Sequence, residues 1–397
     1  MPQEAHPLIP TSLVSLELPK HSHPLLAFDA IRGIAALAVS ASHLRAFLFV
    51  DFTRIPEPTA ADRIFYFATG LGHQAVMVFF VMSGWLVGGS VSNQLKSNQF
   101  QWGDYAVARL ARLWTVLLPA LLWTALLDYL GISLSSAFGY DGSQLAVIHS
   151  GPGGDSPMAF NVPTFLGNLF FLQTTFFPVF GSNGPLWSLA SEFWYYFLFP
   201  AFLISWRHRQ LLTNNALPAA ALIVLILLPN AIQIGFAIWL IGWIGYEIST
   251  KISTAQNVLV ITASAIALAY ALLQSKMRAS PEWDFVIAAF TTCALYGFSF
   301  TPNTRFQNGI FASVAKGVAN ISYSLYLFHF PLLAFIFFSS GLHQSLPSTI
   351  TYIKFLALFA MLIFTSIIAW YLFERNTGRM RQLMKNLIVK IRIMSLS

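Results

Sequence analysis

Apolar runs of bilayer length constrain this chain more than any other feature. About ten segments, near 25–50, 64–90, 107–130, 186–205, 216–231, 233–249, 256–274, 284–300, 317–339 and 350–373, approach or exceed the roughly 17–25 residues of a tilted membrane-crossing helix. The backbone of such runs must satisfy its own polar groups. An all-α polytopic membrane protein of about ten transmembrane helices is therefore expected. With 56% hydrophobic and 9% charged residues, the composition lies far from the roughly 25% charged of soluble domains.

The net charge of +7 does not imply a nucleic-acid partner, because the basic residues sit between apolar runs rather than on a solvated face. Positive-inside topology accounts for most of them. With both termini cytoplasmic, the inner loops hold Lys96, Arg109, Arg112, Arg207, Arg209, Lys251, Arg305 and Lys316, while the far-side stretch 131–185 has no Lys or Arg. Segment 162–180 is Phe-rich but broken by Pro163, Gly167 and Pro178. Were it to cross, the most basic part of the chain would be exported, so it is expected to be re-entrant or interfacial. The turn cluster Gly151-Pro-Gly-Gly-Asp155 fits either a binding lid or a plain connector. Residues 1–24 are read as a disordered cytoplasmic tail before an uncleaved first span. Residues 376–397 are read as a basic cytoplasmic tail, an amphipathic helix on the anionic inner leaflet.

The first span carries Arg32 and His43, eleven residues apart. On a helix they share a face, about 16 Å apart along the axis. Charges at this depth cost about 2.5–3.5 kcal/mol on insertion scales and normally face a protein interior or wet cavity, so this helix is expected to carry the active site. The small pair Ser83-Gly84 invites close helix packing, with a direct catalytic role as the rival. Arg109 and Arg112 are neighbours on one helical face, suited either to bidentate phosphate binding or to snorkelling to headgroups. Glu192, among aromatics, is an acid or base candidate or holds donors from another helix. Ser188 and Ser191 read as backbone or capping groups rather than nucleophiles. Ser322, Tyr326 and His329 form one polar stripe; His329 either satisfies carbonyls freed by Pro331 or takes part in chemistry. Glu374 is expected to be an ion-pair anchor. Cys293, the single cysteine, excludes an internal disulfide and reads as an inert core thiol. No metal-ligand spacing, Gly-rich phosphate loop or nucleophile elbow occurs, so no metal is expected.

In order along the chain, these pieces resemble the membrane-bound acyltransferase-3 family, bacterial O-acetyltransferases of surface glycans. The motifs are Asp29-x-x-Arg32-Gly with His43 following, Phe79-Phe-x-x-Ser83-Gly, Arg109-x-x-Arg112, Trp187-Ser188-Leu-x-x-Glu192, and Ser322-Tyr323-x-x-Tyr326-Leu-x-His329-x-Pro331. The resemblance spans a membrane acyltransferase domain over 25–375. Two departures stand out: Ala190-Ser191-Glu192 replaces an acidic doublet, and Glu374-Arg-Asn replaces an acidic-basic-Pro ending.

The resemblance implies acetyl-CoA or another acyl-CoA as cytoplasmic co-substrate and a polysaccharide, oligosaccharide or glycolipid hydroxyl as acceptor, in the bacterial inner membrane. With Asp29 as N-cap at the inner surface, Arg32, Arg109 and Arg112 would bind the coenzyme A phosphates. His43 would act as general base or acyl carrier, with Glu192 as a second catalytic group. Asp29, Ser83, Trp187, Ser188, Tyr323, Tyr326 and His329 would bind substrate or support the site. Expected partners are membrane lipids, a second copy of the chain or glycan-assembly machinery. A transporter exporting an acylated glycan or lipid is the rival from another class.

Overall fold

The computed structural model describes residues 25–135, 139–141, 158–207, 217–249, 253–278, 280–300 and 309–394. Residues 1–24 and the Gly151–Asp155 cluster lie outside them. Fourteen α-helices follow one another among the described residues: α1 (Leu25–Leu48), α2 (Ala60–Ala68), α3 (Gly72–Ser83), α4 (Gly89–Lys96), α5 (Trp102–Ser135), α6 (Val162–Leu169), α7 (Leu186–Arg207), α8 (Leu217–Leu227), α9 (Asn230–Glu247), α10 (Thr254–Met277), α11 (Glu282–Ser299), α12 (Ile310–Ser340), α13 (Thr349–Leu372) and α14 (Thr377–Met394). The expected spans fall largely on helical backbone among the described residues, with 64–90 interrupted at 69–71 and 216–231 at 228–229. Among the described residues, six helical stretches, 26–48, 60–96, 102–135, 255–277, 310–340 and 349–391, are long and apolar enough to cross a membrane.

Side-chain pairs fix the directions of these helices. His43 meets His329 while a Cβ at Gly33 would touch Val318, so α1 and α12 run parallel. Tyr323 reaches the Leu113 carbonyl and Trp123 lies beside Phe328, so α5 points the same way. Phe28 packs on Trp85 while Gly72 abuts Ser42, so α3 runs back along α1. Glu374 reaches Ser324 while Phe355 packs on Phe49, which sends α13 back as well.

Close approach and proline repair hold the bundle together. A Cβ at Gly84 would collide with the Trp239 carbonyl, and one at Gly242 with that of Val81, so α9 crosses the π-helical turn Gly84–Gly88 backbone to backbone. The expectation of packing at Ser83-Gly84 matches this contact. A proline inside a helix frees the carbonyl four residues earlier. Pro200 frees that of Tyr196, which accepts from Tyr105 Oη at 2.9 Å. Pro331 frees that of Leu327, which accepts from Asn183 Nδ2 at 3.0 Å.

Segment 158–183 folds back on itself. Its eight-residue α6, capped by Asn161 with Pro163 in the first turn, is only about 12 Å long. The Gly181 amide donates to the Ala159 carbonyl at 2.9 Å, bringing the segment's ends together. Buried Asp128 of α5 accepts from the Ser182 amide and hydroxyl at 2.7 and 2.6 Å. Gly181, at φ +56°, makes the turn there, and a Cβ would strike that carboxylate.

Three sequence expectations need correction. Asp29 is no N-cap: α1 already begins at Leu25, placing Asp29 inside the helix, where it pairs with Arg32. The loop expected from Gly131 begins later, because α5 continues to Ser135. Cys293 is not a core thiol but sits on the exposed face of apolar α11.

Candidate functional site

A cavity lies between α1, α3, α5, α7 and α12. Its polar lining includes Arg32, Arg112, Ser188, Glu192, Tyr323 and Tyr326, and its apolar wall includes Val76, Phe79 and Phe80. Five elements thus converge on one space, and all five sequence motifs contribute lining residues. His43 and Arg109 do not line it.

At one end, Arg32 pairs with Asp29 at 3.1 Å. Arg112 lies 3.6 Å from Glu374 and over the Tyr323 ring, 5.5 Å from its centroid. Glu374 is buried and accepts from the Ser324 amide at 3.0 Å and hydroxyl at 2.7 Å, so it is the ion-pair anchor that its position implied. Arg109, one helical turn from Arg112, turns away from it and stacks over Tyr105 and Tyr196 at 5.4 and 5.5 Å. The two arginines therefore sit on separate tyrosines. Because Tyr196 itself lines the cavity, Arg109 lies behind that wall. Nε of Arg32 and Nε of Arg109 are buried and have no hydrogen-bond partner among the described residues.

About eleven residues further along α1, His43 Nδ1 lies 2.8 Å from His329 Nε2, with the rings stacked at 5.1 Å and 10°. His329 is fully buried, and its Nδ1 lies 2.8 Å from the Leu325 carbonyl. A carbonyl can only accept, so His329 Nδ1 carries a proton, and in a neutral His329 the Nε2 is then the acceptor. His43 must then donate from Nδ1, which leaves Nε2 as the unprotonated nitrogen of a neutral His43. Phe330 meets the His43 ring edge-on at 5.0 Å, and Phe47 backs Phe330 at 5.3 Å. The carbonyl freed by Pro331 is not the one His329 uses; Asn183 takes that one.

The family profile of the acyltransferase domain matches residues 25–375. The chain belongs to that family. It is an acyltransferase, and with its apolar helices it is an integral membrane enzyme. No curated protein and no solved structure matches the chain in the same comparisons.

In this acyltransferase the remaining motif residues tie the cavity walls together. Glu192 accepts from Tyr196 Oη and, at 3.4 Å, from Ser83 Oγ. Ser83 in turn accepts from Trp239 Nε1 at 3.0 Å, so one hydroxyl links α3, α7 and α9. Ser188 Oγ and Tyr326 Oη are 2.6 Å apart, and both also reach the Pro185 carbonyl. Ser191 bonds the Trp187 carbonyl at 3.4 Å and Ser322 that of Ala319 at 2.7 Å, backbone roles for both hydroxyls. Trp187 packs edge-on against Phe80. Two participants escaped the sequence reading. Tyr196 was signalled only by its four-residue offset from Glu192. Asn183 carried no signal, since its partner Leu327 is 144 residues away.

Proposed function

We propose that this acyltransferase moves an acetyl group from acetyl-CoA, bound at the cytoplasmic end of the cavity, to a hydroxyl of a glycan or glycolipid on the far side of a bacterial inner membrane. One observation carries the reading. The guanidinium end of the cavity and the His43–His329 pair beyond its lining are both carried by the parallel helices α1 and α12, about 16 Å apart along α1. That spacing suits a donor with phosphates at one end and a thioester at the end of an extended arm.

The residues present fit such a donor. Arg32 and Arg112 line the space and offer planar, multiply donating groups to phosphate. The orphaned Nε of Arg32 is a buried donor that an anionic ligand in the cavity would satisfy. Tyr323, Tyr326 and Phe79 would wall the arm. At the thioester, the acceptor hydroxyl attacks the carbonyl carbon while His43 Nε2 takes its proton. The C–O bond forms, the C–S bond breaks, and the coenzyme A thiolate leaves and takes up the proton. The alternative order, attack by Nε2 itself and then transfer from an acyl-imidazole to the hydroxyl, uses the same atoms. Glu192, in the cavity wall, is the second group placed to move a proton.

About ten crossings with both termini cytoplasmic put the arginines inside and the histidines towards the far side. The parallel directions of α1, α5 and α12 support this arrangement, because a full crossing at 162–180 would reverse α12 relative to α5. Membrane lipids, glycan-assembly proteins and a second copy of the chain are the partners that this reading names.

The test is acetyl transfer by purified enzyme in lipid vesicles, with radiolabelled acetyl-CoA and a surface-glycan fraction. His43→Ala should lower the transfer rate by about 10²–10⁴-fold while leaving thermal stability within a few degrees. Transfer at the wild-type rate would end the assignment.

A further inference from the structure

Helix α14 carries Arg379, Arg381, Lys385, Lys390 and Arg392 and no acidic residue. It does not belong to the span before it. The 24 residues of α13 reach about 36 Å, already more than the roughly 30 Å apolar core of a bilayer. Helical geometry is interrupted at Phe373 and by the 3₁₀ turn Glu374–Asn376, so α14 starts at the membrane surface.

From there it packs on α5 and is held by two ion pairs. Glu374, just before its start, pairs with Arg112, and Lys385 pairs with Asp104. These bracket the turns of α5 that carry Arg109 and Arg112. The rest of the helix presents a second face. Leu383, Leu387, Ile391 and Met394 follow at offsets of four, four and three, a stripe about 80° wide, and each is more than half exposed. Arg379 and Lys390 flank one edge of that stripe within about 40°.

An exposed apolar stripe edged by cations, without an acidic residue on the helix, complements a surface of apolar chains under anionic headgroups. A second copy of α14 laid on the stripe would offer those cations no acidic partner. We propose that α14 is a binding surface for anionic phospholipid, and that lipid seated on it holds the Asp104–Arg112 stretch of α5 at the cavity mouth. The inference needs only a membrane; it stands or falls separately from the identity of the acyl donor.

The test uses the full chain with Cys293→Ser and a fluorophore on Leu387→Cys, one copy per lipid nanodisc. Nanodiscs of phosphatidylcholine alone are compared with an equal mixture of phosphatidylcholine and phosphatidylglycerol. In the mixture the emission should shift to the blue, and quenching by neutral acrylamide should fall at least about twofold. Arg379→Gln with Lys390→Gln should return the mixture to the phosphatidylcholine value without changing thermal stability. Equal quenching in both lipids, or a contrast that survives the double substitution, would overturn the proposal. Protection that appears only with two copies per nanodisc would assign the stripe to self-association and overturn it too.

Discussion

The Leu325 carbonyl has no proton to give, and with both imidazoles neutral that sets their tautomers in sequence: His329 donates from Nδ1 and accepts at Nε2, and His43 donates from Nδ1. His329 is thus placed to orient the ring of His43 rather than to touch the reacting atoms. His329→Ala should lower kcat about tenfold or more while leaving acyl-CoA affinity unchanged. His329→Gln, whose side-chain oxygen can accept from His43 Nδ1, should recover part of that loss. If both variants lose donor affinity instead, His329 belongs to the binding wall. At the arginine end, the guanidinium of Arg112 faces the cavity while Arg109 stacks behind Tyr196. Arg112→Gln should therefore weaken acyl-CoA binding about tenfold, measured by calorimetry, and Arg109→Gln should weaken it less. Equal losses would mean that the two arginines act as one phosphate clamp.

At the scale of elements, the membrane leaves each helix to repair its own defects, and the repairs are specific. Asn183 spans from the turn before α7 to α12, giving a donor to the carbonyl that Pro331 strands. Asn183→Ala leaves that buried carbonyl unmatched, which costs about 1–3 kcal/mol and should lower the apparent Tm. Pro331→Ala supplies a backbone N–H at the same carbonyl, so the Asn183→Ala penalty should shrink by about 1 kcal/mol in that background. A double-mutant cycle showing additive losses would refute the pairing. The Ser83-Gly84 contact is of the same local kind. Both rested on chemistry that travels with the residue: proline removes a donor, and a missing side chain admits a neighbouring backbone. That is why the helices, the polar stripe of α12 and the small pair were legible before the fold. The Asn183 partner was not, because nothing local to residue 183 announces a proline on another helix. Asp29 misled for a related reason. An acidic residue near the start of an apolar run reads as a cap, yet α1 starts at Leu25 and uses the carboxylate to pair with Arg32.

Across the whole molecule, the arrangement depends on which helices point the same way. Helices α1, α5 and α12 meet side by side and in parallel, bringing Arg32, Arg112 and Tyr323 together at one end and His43 with His329 farther along. Parallel neighbours joined through a membrane need an odd number of crossings between them. The segments between α5 and α12 supply that number when 158–183 turns back, as the eight-residue α6 and the joined ends at Ala159 and Gly181 suit it to do. Charge asymmetry in the sequence points to the same count by an independent route, since a crossing at 162–180 would carry the most basic stretches outward. Cysteine labelling on a Cys293→Ser background separates the two cases. Gln101 precedes α5 and is exposed, and Leu346, between α12 and α13, is also exposed. In intact cells a membrane-impermeant thiol reagent should label Leu346→Cys and spare Gln101→Cys, and permeabilised cells should label both. Equal protection of the two would put them on one side, make 158–183 a true crossing, and rule out the parallel pairing of α12 with α1 that brings His329 to His43.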